Sequence, residues 1–205
     1  MKKFELTAES KINIFGKKLF RIKALISFGD VEEGETGGWI EKEENLEQSS
    51  GDAWVSGDAW VSGDAEVYGN ARVSGNARVS GDAEVYGNAR VSGNARVSGN
   101  ARVYGNARVS GNARVFGNAW VYGNARVFGN ADYTTIHGFG TQFRTTTFFQ
   151  CEDKQIRVSC GCFLGTIPEF REQVKNTREG KIAEEYLMIA DLMEKHFVKE
   201  KESGE

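Results

Sequence analysis

The chain has 205 residues, of which 40% are hydrophobic and 27% charged, with a formal charge of −3; that allows one elongated domain with appendages or two small domains. No apolar run approaches the roughly 20 residues of a spanning helix, and Met1-Lys2-Lys3-Phe4-Glu5-Leu6 lacks the apolar core of a secretory leader, so a helical membrane span is excluded and a cytoplasmic location is expected. Three cysteines, an odd number gathered between Cys151 and Cys162, do not form a secreted disulfide framework and suit a reducing compartment.

Residues 1–48 read as an N-terminal β cap. Phe4-Glu5-Leu6, the run Lys11 to Phe15, a Gly16-Lys17 turn and Leu19 to Ile26 predict short strands. Gly37-Gly38-Trp39-Ile40, with Leu46, then leads into a repeated region.

That region, residues 49–133, divides from Ser49 to Asp132 into consecutive hexads of the form Gly-Asn/Asp-Ala-x-Val-x, without insertion. In Ala71-Arg72-Val73-Ser74 a period of two sends Ala71 and Val73 to one side and Arg72 and Ser74 to the other. Gly-Asn or Gly-Asp makes the corner, because Gly accepts positive φ freely and Asn or Asp tolerates it better than most residues. Three such bends close a triangle, which predicts coils of eighteen residues. The aromatic positions agree, since Tyr68, Tyr86, Tyr104 and Tyr122 recur at that interval while the hexads between them carry Ser, or Phe near the end.

Val every six residues with Ala two before it resembles the hexapeptide-repeat proteins of left-handed parallel β-helix fold. The resemblance implies the left-handed parallel β-helix fold, and with the residue reading gives a mainly β, three-faced chain of eighteen-residue coils with an N-terminal β cap and a small C-terminal α+β module. The stretch FGDVEEGETGGWIEKEENL is similar to the lead-in segment of uncharacterised hexapeptide-repeat proteins of bacteria and their prophages, which implies a phage or prophage context and no particular reaction.

Coils of eighteen assign every outward residue to a face. The first carries Tyr68, Tyr86, Tyr104 and Tyr122 beside Glu66, Glu84, Arg102 and Trp120; the second carries Trp54, Arg72, Arg90, Arg108 and Arg126; the third carries Trp60, Arg78, Arg96, Arg114 and Asp132. Between Val85 and Ala131 lie six arginines and no acid. Stacked arginines about 4.8 Å apart repel by somewhat under about 1 kcal/mol in water. Such ladders serve either as a solvated, aggregation-resistant surface or as a site for an anion or acidic partner, because guanidinium binds phosphate and carboxylate in forks. The tyrosines suit a subunit interface or a stacking surface for bases.

Residues 134–205 read as an α+β module that closes the far end of the coils. Thr145 to Gln150 and Ile156 to Cys162 predict a hairpin, and Thr166-Ile167-Pro168-Glu169 is a capping box that opens a helix running to about Lys175. A second helix is marked by the stripe Ile182, Tyr186, Ile189, Ala190, Met193 and Phe197, with Lys195 and Lys199 near its end. This segment resembles a small C-terminal module of phage-encoded proteins.

Catalysis is not expected. Many left-handed β-helix proteins are acyltransferases with a histidine on a loop extruded from the coils, but these coils extrude none, and the histidines are His137, just past the last strand of the repeats and read as a turn histidine, and His196, on the terminal helix. Cys160 and Cys162 alternate onto one face of a predicted strand, with Cys151 across the hairpin; buried thiols explain this pattern and a three-cysteine metal site is the alternative. The reading is a cofactor-free, non-catalytic recognition protein. It is expected to form a homo-oligomer, a trimer through the tyrosine face, and to bind an anionic ligand or acidic host protein through the arginines and tyrosines. The alternatives are an acyltransferase and a structural spacer or assembly protein.

Overall fold

The structure, a computed structural model, describes residues 2–197. It divides into two compact units, Met1–Asn130 and Ala131–Glu205.

In the first unit each hexad is a two-residue strand followed by a corner. Thirteen of the described strands are of this kind, from Trp54–Val55 to Arg126–Val127. Strands eighteen residues apart pair in parallel and in register, so Val91 lies beside Val73 and Val109, and Arg90 beside Arg72 and Arg108. Three sheets result, and the unit is a parallel β-solenoid with three faces. Its inward valines and alanines are fully buried from Ala71 to Val127, each valine contributing about 1.5–3 kcal/mol. The corners repeat just as strictly. Gly87 has φ of 67°, and a Cβ there would lie 3.0 Å from the Gly105 nitrogen of the next coil, so the position needs both the left-handed backbone and the missing side chain. Beside it the Asn88 side-chain amide donates to Asn106 at 3.3 Å, one rung of an asparagine ladder along that corner.

The N-terminal segment extends the third sheet. Strands β1 (Phe4–Ile12), β2 (Lys18–Ala24) and β3 (Thr36–Ile40) are antiparallel neighbours, and β3 then pairs in parallel with Trp60–Val61. Gly38 permits the close approach, since a Cβ there would meet the Ala59 carbonyl oxygen and a Val55 methyl at 2.7 Å. Two tryptophans of the first coil are thereby covered: Trp60 packs with Leu19 and Trp39, and Phe4 and Phe28 stand edge-on to Trp54 at 6.4 and 5.5 Å. The Asn45 side-chain amide donates to the carbonyls of Gly63 and Ala65, and Leu46 bridges to Val67, so this turn aligns with the coil that follows it.

Two local expectations are corrected. Lys11 to Phe15 is not a separate strand; β1 runs unbroken to Ile12, and Ile14 and Phe15 sit in the turn before β2. Asn13 makes that turn, its Oδ1 accepting from the amides of Phe15 and Lys17 at 2.9 and 3.0 Å. Asp132 does not continue the third face, because the last hexad ends in a 3₁₀ turn, Asn130–Asp132, in place of a strand.

In the second unit four antiparallel strands, Tyr133–Phe139, Arg144–Gln150, Ile156–Cys160 and Phe163–Thr166, form one sheet. Helices α1 (Ile167–Thr177) and α2 (Gly180–Phe197) follow. Phe148, Val158, Phe170, Tyr186 and Ile189 belong to one core. The capping box is present, with Thr166 accepting from the Glu169 amide and Glu169 accepting from the Thr166 amide. Arg171 ties the helices together through Asp191 at 2.7 Å and Glu194 at 2.6 Å. The sheet holds two strands more than the hairpin expected. Lys199 lies outside the described residues.

Candidate binding faces

The outward positions of the solenoid show what each ladder can offer a ligand. On the first sheet Tyr68, Tyr86, Tyr104 and Tyr122 stack with centroids 4.7, 4.7 and 4.6 Å apart and nearly parallel planes. Both faces of Tyr86 and of Tyr104 are therefore covered by neighbouring rings, and these two offer edges and hydroxyls, rather than faces, to anything that docks. Burial raises the phenol pKa of Tyr68, Tyr86 and Tyr104 above its ordinary value, and at Tyr68 the hydrogen bond to Glu84 adds to it. Glu84 accepts from the Tyr68 hydroxyl at 3.0 Å and pairs with Arg102 at 2.9 Å. Arg102 also lies over the Trp120 ring, 5.4 Å from its centroid. The first sheet thus satisfies much of its own polarity.

The second sheet carries Arg72, Arg90, Arg108 and Arg126 in register. Arg72 pairs with Asp30, which reaches it from the N-terminal segment. Arg90 and Arg108 are exposed. A groove of about 610 Å³ runs along this sheet, lined by Arg72, Arg90, Ser74 and Ser92 and also by Asp30 and Asp52. Its charge is therefore mixed.

On the third sheet Arg96 pairs in register with Arg78 on one side and Arg114 on the other. Arg78 lies against Trp60, 5.8 Å from the ring centroid, while Arg96 and Arg114 are exposed. The turn between β1 and β2 stands beside this sheet, with Phe15 edge-on to Trp60 at 6.0 Å. A smaller groove, about 270 Å³, is bounded by Ile14, Phe15, Trp60, the three arginines, Ser80, Ser98 and Phe116, and among the described residues its lining includes no carboxylate. Among the described residues no carboxylate pairs with Arg90, Arg96, Arg108 or Arg114.

The sequence placed every ladder on its face, but Phe15, Phe116 and Asp30 were not among the expected site residues. Phe116 breaks the run of serines beside the third-face arginines, which is a readable signal. Phe15 and Asp30 carry none, because the contacts that bring them to Trp60 and Arg72 span 45 and 42 residues.

The second unit brings its expected chemistry together less closely. Cys160 ends a strand, Gly161 turns at φ of 61°, and exposed Cys162 lies in that turn, so the two thiols do not share a strand face. Cys151 is buried, which pushes its thiol up to about 11. Among the described residues there is no group of three or more His, Cys, Asp or Glu side chains able to hold a metal. His137 belongs to the strand Tyr133–Phe139 rather than to a turn, exposed, with Nδ1 3.3 Å from the Thr145 hydroxyl. No described helix is long and apolar enough to cross a membrane.

Stacked in-register hexads with an Ala and Val interior define a β-solenoid repeat protein. A family model described as the YdcK beta solenoid repeat matches residues 65–81, 71–86, 83–98, 95–109 and 107–123; over these coils, well under half of the chain, the sequence is similar to that repeat. A comparison with curated proteins finds no match.

Proposed function

We propose that this is a non-catalytic recognition protein whose solenoid binds an anionic target through the exposed arginines of its second and third sheets. The observation that carries the reading is the contrast within the ladders. Arg72 and Arg102 have carboxylate partners, whereas Arg90, Arg96, Arg108 and Arg114 have none among the described residues. Guanidinium groups repeated in register on adjacent strands can engage several anionic groups of one ligand at once, which favours an extended or multiply charged anion over a monovalent one. In this reading the target is a host nucleotide signal or an acidic protein or nucleic-acid complex, and binding it counters host defence. Self-association as a trimer through the tyrosine-bearing first sheet belongs to the same reading, and a monomeric wild-type protein in light scattering would remove that part of it.

Titration with inorganic polyphosphate at low salt tests the binding. Replacing Arg90, Arg96, Arg108 and Arg114 together with Gln should cost roughly a hundredfold or more in affinity and flatten the salt dependence. Replacing Arg72 and Arg78 should cost less. A fourfold variant that keeps its β circular dichroism and binds as wild type overturns the reading.

A further inference from the structure

We infer that the groove on the third sheet is a nucleotide site, in which Arg96 and Arg114 take the phosphates and the aromatic residues Phe15 and Phe116 take the base. This rests on the anion-binding reading above and narrows it to one sheet and one ligand class: a free nucleoside polyphosphate.

Comparison of the three sheets selects this one. The groove on the second sheet is larger but has Asp30 and Asp52 in its lining, and two carboxylates repel phosphate. The first sheet holds Glu66 and Glu84, and its tyrosine rings, 4.6 to 4.7 Å apart, leave no gap for a planar ring to enter. The third-sheet groove has no acid in its lining among the described residues, three arginines in register, and aromatic side chains among its walls. Successive arginines stand about 4.8 Å apart, so Arg96 and Arg114, on adjacent strands, can each engage one of two or three linked phosphates.

The aromatic side chains are held ready and left available. Phe15 is 66% exposed and Phe116 59% exposed, an unfavourable state for two large apolar rings beside one groove unless something covers them. Phe15 is fixed by a formed turn. Asn13 Oδ1 accepts from the amides of Phe15 and Lys17, and the Phe15 ring rests edge-on against buried Trp60. Ser80 and Ser98, each the residue just past the strand that carries Arg78 or Arg96, add hydroxyl donors to the same lining. At about 270 Å³ the groove lies near the lower end of small-molecule pockets, which suits one nucleotide rather than a folded polymer.

The test compares ATP, inorganic tripolyphosphate and a single-stranded oligoadenylate by calorimetry at fixed low salt, on the whole chain. ATP should bind about tenfold or more tightly than tripolyphosphate, the difference being the base–aromatic contact. Phe15→Leu and Phe116→Leu, which keep an apolar side chain, should remove that difference and leave tripolyphosphate affinity unchanged. Arg96→Gln with Arg114→Gln should weaken both ligands. Equal affinity for ATP and tripolyphosphate overturns the nucleotide inference while the anion-binding reading stands. Equal weakening of both ligands by the Phe substitutions overturns it too, as does ATP binding that survives the double Gln substitution. An oligoadenylate bound more tightly than ATP, with the same dependence on Phe15, overturns the assignment to a free nucleotide. If none of these ligands and no polyphosphate binds, both readings fall.

Discussion

Arg72 and Arg90 occupy the same place on adjacent rungs of one sheet, yet Arg72 is paired to Asp30 and half-buried while Arg90 is exposed without an acidic partner among the described residues. The hexads around them are alike, so the difference comes from what folds over the first coils. There the N-terminal segment supplies Asp30, and tryptophans stand where later coils carry arginine: Trp54 and Trp60 are 2% and 6% exposed. A repeat therefore sets geometry and leaves chemistry to its neighbours. The first coils spend their outward positions on holding the N-terminal segment, whereas Arg90, Arg96, Arg108 and Arg114 of the later coils have no carboxylate partner among the described residues.

The severest way to break this contrast is to lift the N-terminal segment off. Gly38→Val puts a branched side chain where a Cβ alone would already meet Ala59 and Val55 at 2.7 Å, and overpacking of this kind costs about 1–3 kcal/mol. The expected outcome is a lower melting temperature with red-shifted tryptophan emission, as Trp54 and Trp60 become wet, while the later coils keep their β circular dichroism. An unchanged emission spectrum would mean that the first coil does not depend on its cover. A milder change sharpens the contrast. Asp30→Asn removes the charge opposite Arg72 and should make that rung resemble Arg90, raising polyphosphate affinity about threefold at low salt and less at high salt. Wild-type affinity in this variant would show that Asp30 is not what separates the early arginines from the late ones.

How much of this was legible in the sequence follows from the range of the contacts. Eighteen-residue spacing fixes neighbours by local repetition, so the tyrosine stack and the in-register arginines could be read from the letters alone. The capping box at Thr166 was legible for the same reason, since Glu169 is three residues away. By contrast the turn holding Phe15 had to be located against Trp60 across a chain reversal, and no periodicity encodes that. The Cys160-Gly161-Cys162 segment misled because alternation was given more weight than the glycine, which takes positive φ and ends the strand. Asp132 misled in the opposite way: the hexad pattern continued past the last strand, Arg126–Val127.

The tyrosine ladder crosses early and late coils alike, and this makes it the control for the comparison. Burial raises the phenol pKa of Tyr68, Tyr86 and Tyr104, so the folded state holds these protons more tightly than the unfolded chain. The stability they contribute is present below the ordinary tyrosine value of about 10 and is lost as pH rises above it. Denaturant unfolding should therefore show a fall in stability above about pH 10 that is smaller in a Tyr86→Phe, Tyr104→Phe variant, where two ionisable groups are gone. Glu84→Gln then separates the ends of the ladder by a smaller effect. Glu84 accepts from the Tyr68 hydroxyl and pairs with Arg102, and its charge is a lesser cause, after burial, of the shift at Tyr68. Spectrophotometric titration of this variant should move Tyr68 furthest toward its ordinary value, still above it, move Tyr86 less, and leave Tyr104 where it was. A shift shared by all the tyrosines would mean that the stack titrates as one electrostatic unit, and the early and late coils would then be coupled along the first sheet.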